Sequence, residues 1–139
     1  MVSAARLRDG RTVPHPRVLI AEDDDSLRRL LARRLADAGF RVDAVTDGEA
    51  ALDALHAARP DVLLTDLEMP AMDGGALCRS VREDDQLREM PIVVFSGSED
   101  PAVVARLRSL GRIAMVGKGE GFDSLVRALR RLLAETAPA

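Results

Sequence analysis

Five short runs of apolar, β-prone residues punctuate the chain: Arg17–Ala21, Arg41–Val45, Val62–Thr65, Ile92–Phe95 and Ile113–Val116. Between them, apolar residues recur every three or four positions, the spacing of a helix that buries one face. The first such segment carries Leu27, Leu30, Leu31, Leu35 and Ala38 on one side and Arg28, Arg29, Arg33 and Arg34 on the other. It opens after Asp24-Asp25-Ser26, any of which can cap it, and stops at Gly39. A second helix is predicted from Asp47-Gly48 to Arg59, with Ala51, Leu52 and Leu55 inward, and a third from Asp73-Gly74 to Glu83, followed by a polar linker over 84–90. The fourth starts at Asp100 with Pro101 in the first helical position and ends at Leu110-Gly111. The last spans Ser124 to Glu135 and repeats Leu125, Leu129, Leu132 and Leu133.

The first, third and fourth apolar runs have almost no polar positions, as expected of parallel strands covered by helices on both faces. Right-handed crossovers then predict an α/β fold, a (βα)5 doubly wound parallel five-stranded sheet of flavodoxin-like order 2-1-3-4-5. Residues 17–135 form this one domain, long enough to bury about 70% of the unfolded surface. Residues 1–16, with Arg6, Arg8, Arg11, Pro14 and Pro16, read as a mobile arm, and 136–139 as a short tail. With only that tail after the last helix, no output domain is expected, so output is expected to be a binding event.

A net charge of -3 argues against nonspecific nucleic-acid binding, and no apolar run is long enough to span a membrane. No secretory signal opens the chain, so a cytoplasmic location is the default expectation. The single cysteine, Cys78, sits beside Leu77 and Val81 on the third helix and reads as core packing. His15 and His56 have no acidic or cysteine partner at ligand spacing, which argues against a transition-metal site. Of the 20 basic residues, 19 are arginine and one, Lys118, is lysine. A lysine kept against that bias is a candidate compact point charge that a planar guanidinium does not replace.

The strand ends carry the candidate chemistry. Ligands bind at the carboxyl ends of the strands in such sheets. Those ends contribute Glu22 and Asp23, Asp66, Ser96 with Gly97, and Lys118. Crowded carboxylates repel, and a divalent cation is the simplest way to keep them ionised; magnesium prefers one or two carboxylates plus water and phosphate oxygens. A carboxylate so placed can attack a phosphoryl group in line, with Lys118 and the Ser96 hydroxyl as donors to the transferred oxygens.

In order along the chain stand the acidic pair Glu22-Asp23, the signature Asp66-x-x-Met69-Pro70-x-x-Asp73-Gly74, the hydroxyl residue Ser96 and the lysine Lys118. From Arg17 to about Ala134 this resembles the receiver domain of two-component response regulators, of the stand-alone type. The resemblance implies that Asp66 is the phosphoacceptor, charged by a histidine kinase or a histidine phosphotransfer protein. It implies magnesium held by Asp23, Asp66 and the backbone carbonyl of Glu68, with Glu22 acting through water. Lys118 would pair with the phosphoryl oxygens, and Ser96 would turn toward them, coupling the site to the face of helix 4, strand 5 and helix 5. Glu68 and Ser98 would tune loss of the phosphate. No enzymatic activity is expected beyond self-catalysed transfer and hydrolysis, and the partner is a downstream protein, with no nucleic acid and no membrane.

Two positions depart from the family pattern. Proline usually follows the lysine, whereas this chain reads Gly117-Lys118-Gly119-Glu120-Gly121, expected to be a longer and more mobile loop. Met115 stands where an aromatic usually turns inward. These departures keep open a second function, a phosphorylation-independent pseudo-receiver acting as adaptor or scaffold. A haloacid-dehalogenase-type phosphatase would need a second aspartate two residues after the nucleophile, where Glu68 stands. The arginines of the first helix are either a solvated face or a docking surface for the phosphodonor.

Overall fold

The computed structural model describes residues 5–6, 12–13, 15–97 and 100–135. Strands β1 (Arg17–Ala21), β2 (Arg41–Val45), β3 (Val62–Thr65), β4 (Ile92–Ser96) and β5 (Ile113–Gly117) alternate with helices α1 (Asp25–Asp37), α2 (Gly48–Ala58), α3 (Gly74–Glu83), α4 (Pro101–Arg108) and α5 (Phe122–Ala134). All neighbours in the five-stranded sheet are parallel, in the order β2-β1-β3-β4-β5. This is the doubly wound sheet that the alternation of short apolar runs and helical segments predicts.

The two-residue period of a strand divides the core between the two faces of the sheet. Val18 and Ile20 of β1 join a cluster with Leu31 and Leu35 of α1 and Leu125 and Leu129 of α5. Leu19 and Ala21 point the other way, to Leu55 of α2 and Leu77 and Val81 of α3. The three central strands β1, β3 and β4 are buried almost throughout, while β2 and β5 lie at the edges and are more exposed. Fully burying each of these leucines contributes about 1.5–3 kcal/mol, which fixes the strand register as well as the layer order.

Several boundaries differ from expectation. The arm expected over 1–16 contains two short strands, Ala5–Arg6 and Thr12–Val13, paired antiparallel, with the first lying against α5. Arg8, Arg11 and Pro14, like the tail 136–139, lie outside the described residues. The segment after Glu83 is an ordered turn that buries Leu87 and Met90, because the Leu87 N–H bonds the Asp84 carbonyl and the Met90 N–H that of Leu87. Helix α5 begins at Phe122, two residues before Ser124. On α1 the buried stripe is narrower than the leucine pattern implies: Leu30 is 48% exposed, while Arg28, assigned to the outer face, is mostly covered.

Candidate functional site

The register brings the acidic residues together. Ala21 opposes Thr65 across the β1–β3 ladder, so the next residue on each strand, Glu22 and Asp66, leave the sheet side by side. Both are buried, held in line by bonds from the Glu22 N–H to the Val45 carbonyl and from the Asp66 N–H to the Ala21 carbonyl. One carboxylate oxygen from each of Glu22, Asp23 and Asp66 lies within 4.8 Å of the others, with Asp23 exposed at the mouth. Among the described residues no other such group of three potential ligands occurs.

Each buried carboxylate divides its oxygens between backbone and lysine. Asp66 Oδ1 accepts from the Leu67 N–H at 2.8 Å, and its Oδ2 lies 3.3 Å from Lys118 Nζ. Glu22 Oε2 accepts from the Asp24 N–H at 3.1 Å, and its Oε1 lies 3.6 Å from the same ammonium. Burial raises the Glu22 carboxyl and outweighs the Asp24 N–H; the Asp66 charge adds to the rise and Lys118 opposes it, leaving Glu22 at about 7. For Lys118, burial opposes its charge, but the carboxylates of Asp66 and Glu22 prevail and hold its ammonium above the ordinary lysine range.

One ammonium therefore faces three acids, two of them buried. An all-oxygen donor set with negative charge in excess and one ligand open to solvent suits a small, hard divalent cation that keeps some of its water. The residues present fit such an ion.

The Asp-Gly that ends the signature has separate mechanical reasons. Asp73 caps α3, its Oδ1 accepting from the Ala76 N–H at 2.8 Å. Gly74 lets the helix start lie directly on Asp66: a Cβ there would fall 2.0 Å from the Asp66 carbonyl oxygen. The Thr65 hydroxyl donates to that same carbonyl at 2.8 Å, so the backbone of Asp66 is clamped from two sides.

Ser96 ends β4 opposite Gly117, buried, in the wall of a cavity of about 220 Å³ shared with Val104, Arg108, Met115, Val116 and Glu120. Glu68 is exposed and lines a second cavity, of about 270 Å³, with Asp73, Arg79 and Arg106. Ser98 lies outside the described residues. The segment after β5, expected as a long glycine loop, is a single 3-10 turn over Lys118–Glu120.

Some contacts escape sequence reasoning. Arg28 donates to the Glu22 carbonyl at 3.0 Å, bracing the acidic pair from the first turn of α1; its place among four arginines hid it. Arg130, exposed on α5, donates to the Ala38 carbonyl at 3.0 Å. His56 does have an acidic partner, Asp84, at 2.9 Å, brought from 28 residues away by the packing of α2 against α3. No local spacing signals that pair.

Residues 18–130 match the family model of the response regulator receiver domain. The chain belongs to that family. Receiver domains are signalling modules of two-component systems, which interact with histidine kinases and downstream targets. Curated relatives include the transcriptional regulatory protein AfsQ1 of Streptomyces coelicolor, 35% identical over 84% of this chain and 52% of its own. The probable transcriptional regulator ycf27 of Guillardia theta is 33% identical over 88% of this chain and 47% of its own. The receiver thus spans about half the length of the curated relatives it matches. Among solved structures, the chemotaxis response regulator CheY4 of Vibrio cholerae superposes with a TM-score of 0.78 at 29% identity, covering 86% of this chain and 99% of that one. The receiver domain of a signal transduction histidine kinase from Syntrophus aciditrophicus gives 0.77 at 31% identity, covering 85% and 89%. Among the described residues, no helix is long and apolar enough to cross a membrane.

Proposed function

We propose that this receiver accepts a phosphoryl group on Asp66 from a phosphohistidine donor, a histidine kinase or a histidine phosphotransfer protein, and signals by changing its binding to a downstream protein. The observation that carries the reading is the Lys118 ammonium 3.3 Å from Asp66 Oδ2 within the pocket formed by Glu22 and Asp23. Asp66 Oδ2 attacks the phosphorus, the bond from phosphorus to the donor imidazole breaks, and that nitrogen takes up a proton. Lys118 then transfers its contact from the carboxylate to the phosphoryl oxygens, and the Leu67 N–H keeps the remaining Asp66 oxygen in place. Hydrolysis of the acyl phosphate returns the carboxylate.

Magnesium, held by Asp23, Asp66 and the Glu68 carbonyl with Glu22 acting through water, would neutralise charge on the phosphoryl oxygens. The buried Ser96 hydroxyl is proposed as the further donor, coupling the phosphate to the α4–β5–α5 side through the cavity it shares with Met115. Two relatives are named as transcriptional regulators, but this chain matches about half of each, and a role in transcription is not carried over.

The test is incubation with acetyl phosphate and magnesium, resolved on a phosphate-binding gel. A shifted band in wild type that is lost in Asp66→Ala, or when magnesium is omitted, supports the reading. No shift with acetyl phosphate, phosphoramidate or a phosphohistidine protein overturns it in favour of a phosphorylation-independent scaffold.

A further inference from the structure

The five residues from Gly117 to Gly121 contain three glycines, so only Lys118 and Glu120 have side chains with which to fix the backbone. A Cβ at Gly119 or Gly121 would meet nothing within 4 Å, so this stretch of backbone passes through open space. The lysine stem runs beside Gly97, where an added Cβ would lie 4.0 Å from Lys118 Cδ. Packing at these two glycines therefore does not account for the closed turn.

Glu120 does account for it. Its Oε2 accepts from the Gly117 N–H at 2.6 Å, closing a ring across the Lys118–Glu120 turn. A charged acceptor at this distance makes one of the stronger hydrogen bonds available to a backbone amide. The amide it takes is one the sheet leaves over. β5 is an edge strand, and the Ile92 N–H to Arg112 carbonyl bond sets an alternation that turns the Gly117 N–H away from β4. The Glu120 carbonyl also accepts from the Ser124 hydroxyl at 3.2 Å, tying the turn to the first residues of α5.

We propose that Glu120 is the positioning residue of Lys118: by clasping the Gly117 N–H it closes the turn and holds the ammonium on Asp66 and Glu22. It supplies through a hydrogen bond the constraint that this chain lacks without a proline after its lysine. The kinetic part of the proposal rests on the phosphoacceptor function; the structural part does not.

Because Lys118 is the only lysine of these 139 residues, this chain labelled with 13C-lysine and 15N-glycine gives one set of lysine side-chain signals. In wild type the two Hε protons are inequivalent and the Gly117 amide proton is shifted downfield. In Glu120→Ala both signatures collapse toward free values, whereas Glu120→Gln, which keeps an oxygen acceptor, retains most of the Hε inequivalence. In acetyl phosphate assays Glu120→Ala slows labelling of Asp66 about fivefold, and adding it to Lys118→Ala slows the reaction no further, as for two residues acting as one unit. An unchanged lysine signal in Glu120→Ala, or a double variant that shows the product of the two single effects, overturns the assignment. If wild type takes no phosphoryl group, the phosphoacceptor function fails while the lysine signal still decides the role of Glu120.

Discussion

Lys118 Nζ and Asp66 Oδ2 lie 3.3 Å apart although 52 residues separate them along the chain. The pair bridges β3 and the turn after β5, two strand ends with β4 between them, so it requires all three strands in register. The ammonium also reaches Glu22 at 3.6 Å, so one cation is shared by two buried carboxylates. Three predictions concern this cluster and its support, and a fourth the core beneath it.

Lys118→Arg should fold normally yet slow phosphoryl transfer from acetyl phosphate by about tenfold or more, since a planar, longer guanidinium does not occupy the place of a compact ammonium. Stopped-time labelling of Asp66 measures this. A rate equal to wild type would show that any cation suffices.

Without divalent cations, stability should fall as pH rises from about 5 to 8. The Glu22 carboxyl is held at about 7 in the folded chain against an ordinary value of 4.5, so the folded state binds the extra proton between those values. Its stabilising effect is complete below the unfolded value and is lost as pH rises through the folded one, by about 1–3 kcal/mol. Added magnesium should oppose the loss, and Glu22→Gln should flatten the profile. Urea melts at pH 5, 6.5 and 8, with and without magnesium, give the comparison.

Gly74→Ala should cost about 2–4 kcal/mol, because its Cβ would overlap the Asp66 carbonyl oxygen and push α3 off the end of β3. Gly111 has φ +80 but open space around it, so Gly111→Ala should cost only about 1 kcal/mol through backbone strain. Thermal melts of the two variants separate steric overlap from dihedral strain.

Cys78 should resist thiol reagents in the folded protein. It is fully buried on α3, and burial pushes its thiol up to about 12, well above any assay pH. Reaction with a chromogenic disulfide at pH 8 should be slow until urea unfolds the chain; fast labelling of native protein would show that α3 opens locally.

The strand ends were legible because chemistry and fold share one pattern there. Val62–Leu64 is wholly apolar, and Thr65 and Asp66 follow it, so the sequence marks both a buried strand and the carboxylate that leaves it. Asp73 and Asp100 read correctly as caps, since capping depends on a residue and the amides two or three positions ahead. Arg28 did not read correctly, and the partner of the exposed His56 was not legible. Each looks like surface charge in its own helix, and its partner, the Glu22 carbonyl or the Asp84 carboxylate, is set by how the helix sits on its neighbours.

The sequence alone determined the order of elements, the two-faced sheet and the identity of Glu22, Asp23, Asp66 and Lys118 as residues at strand ends, because periodicity and capping are local. Only the tertiary structure decided that Gly74 touches the Asp66 carbonyl, that one ammonium serves two carboxylates, and that Glu120 closes the turn carrying it. Those are distances between groups on different elements, and packing and register set them.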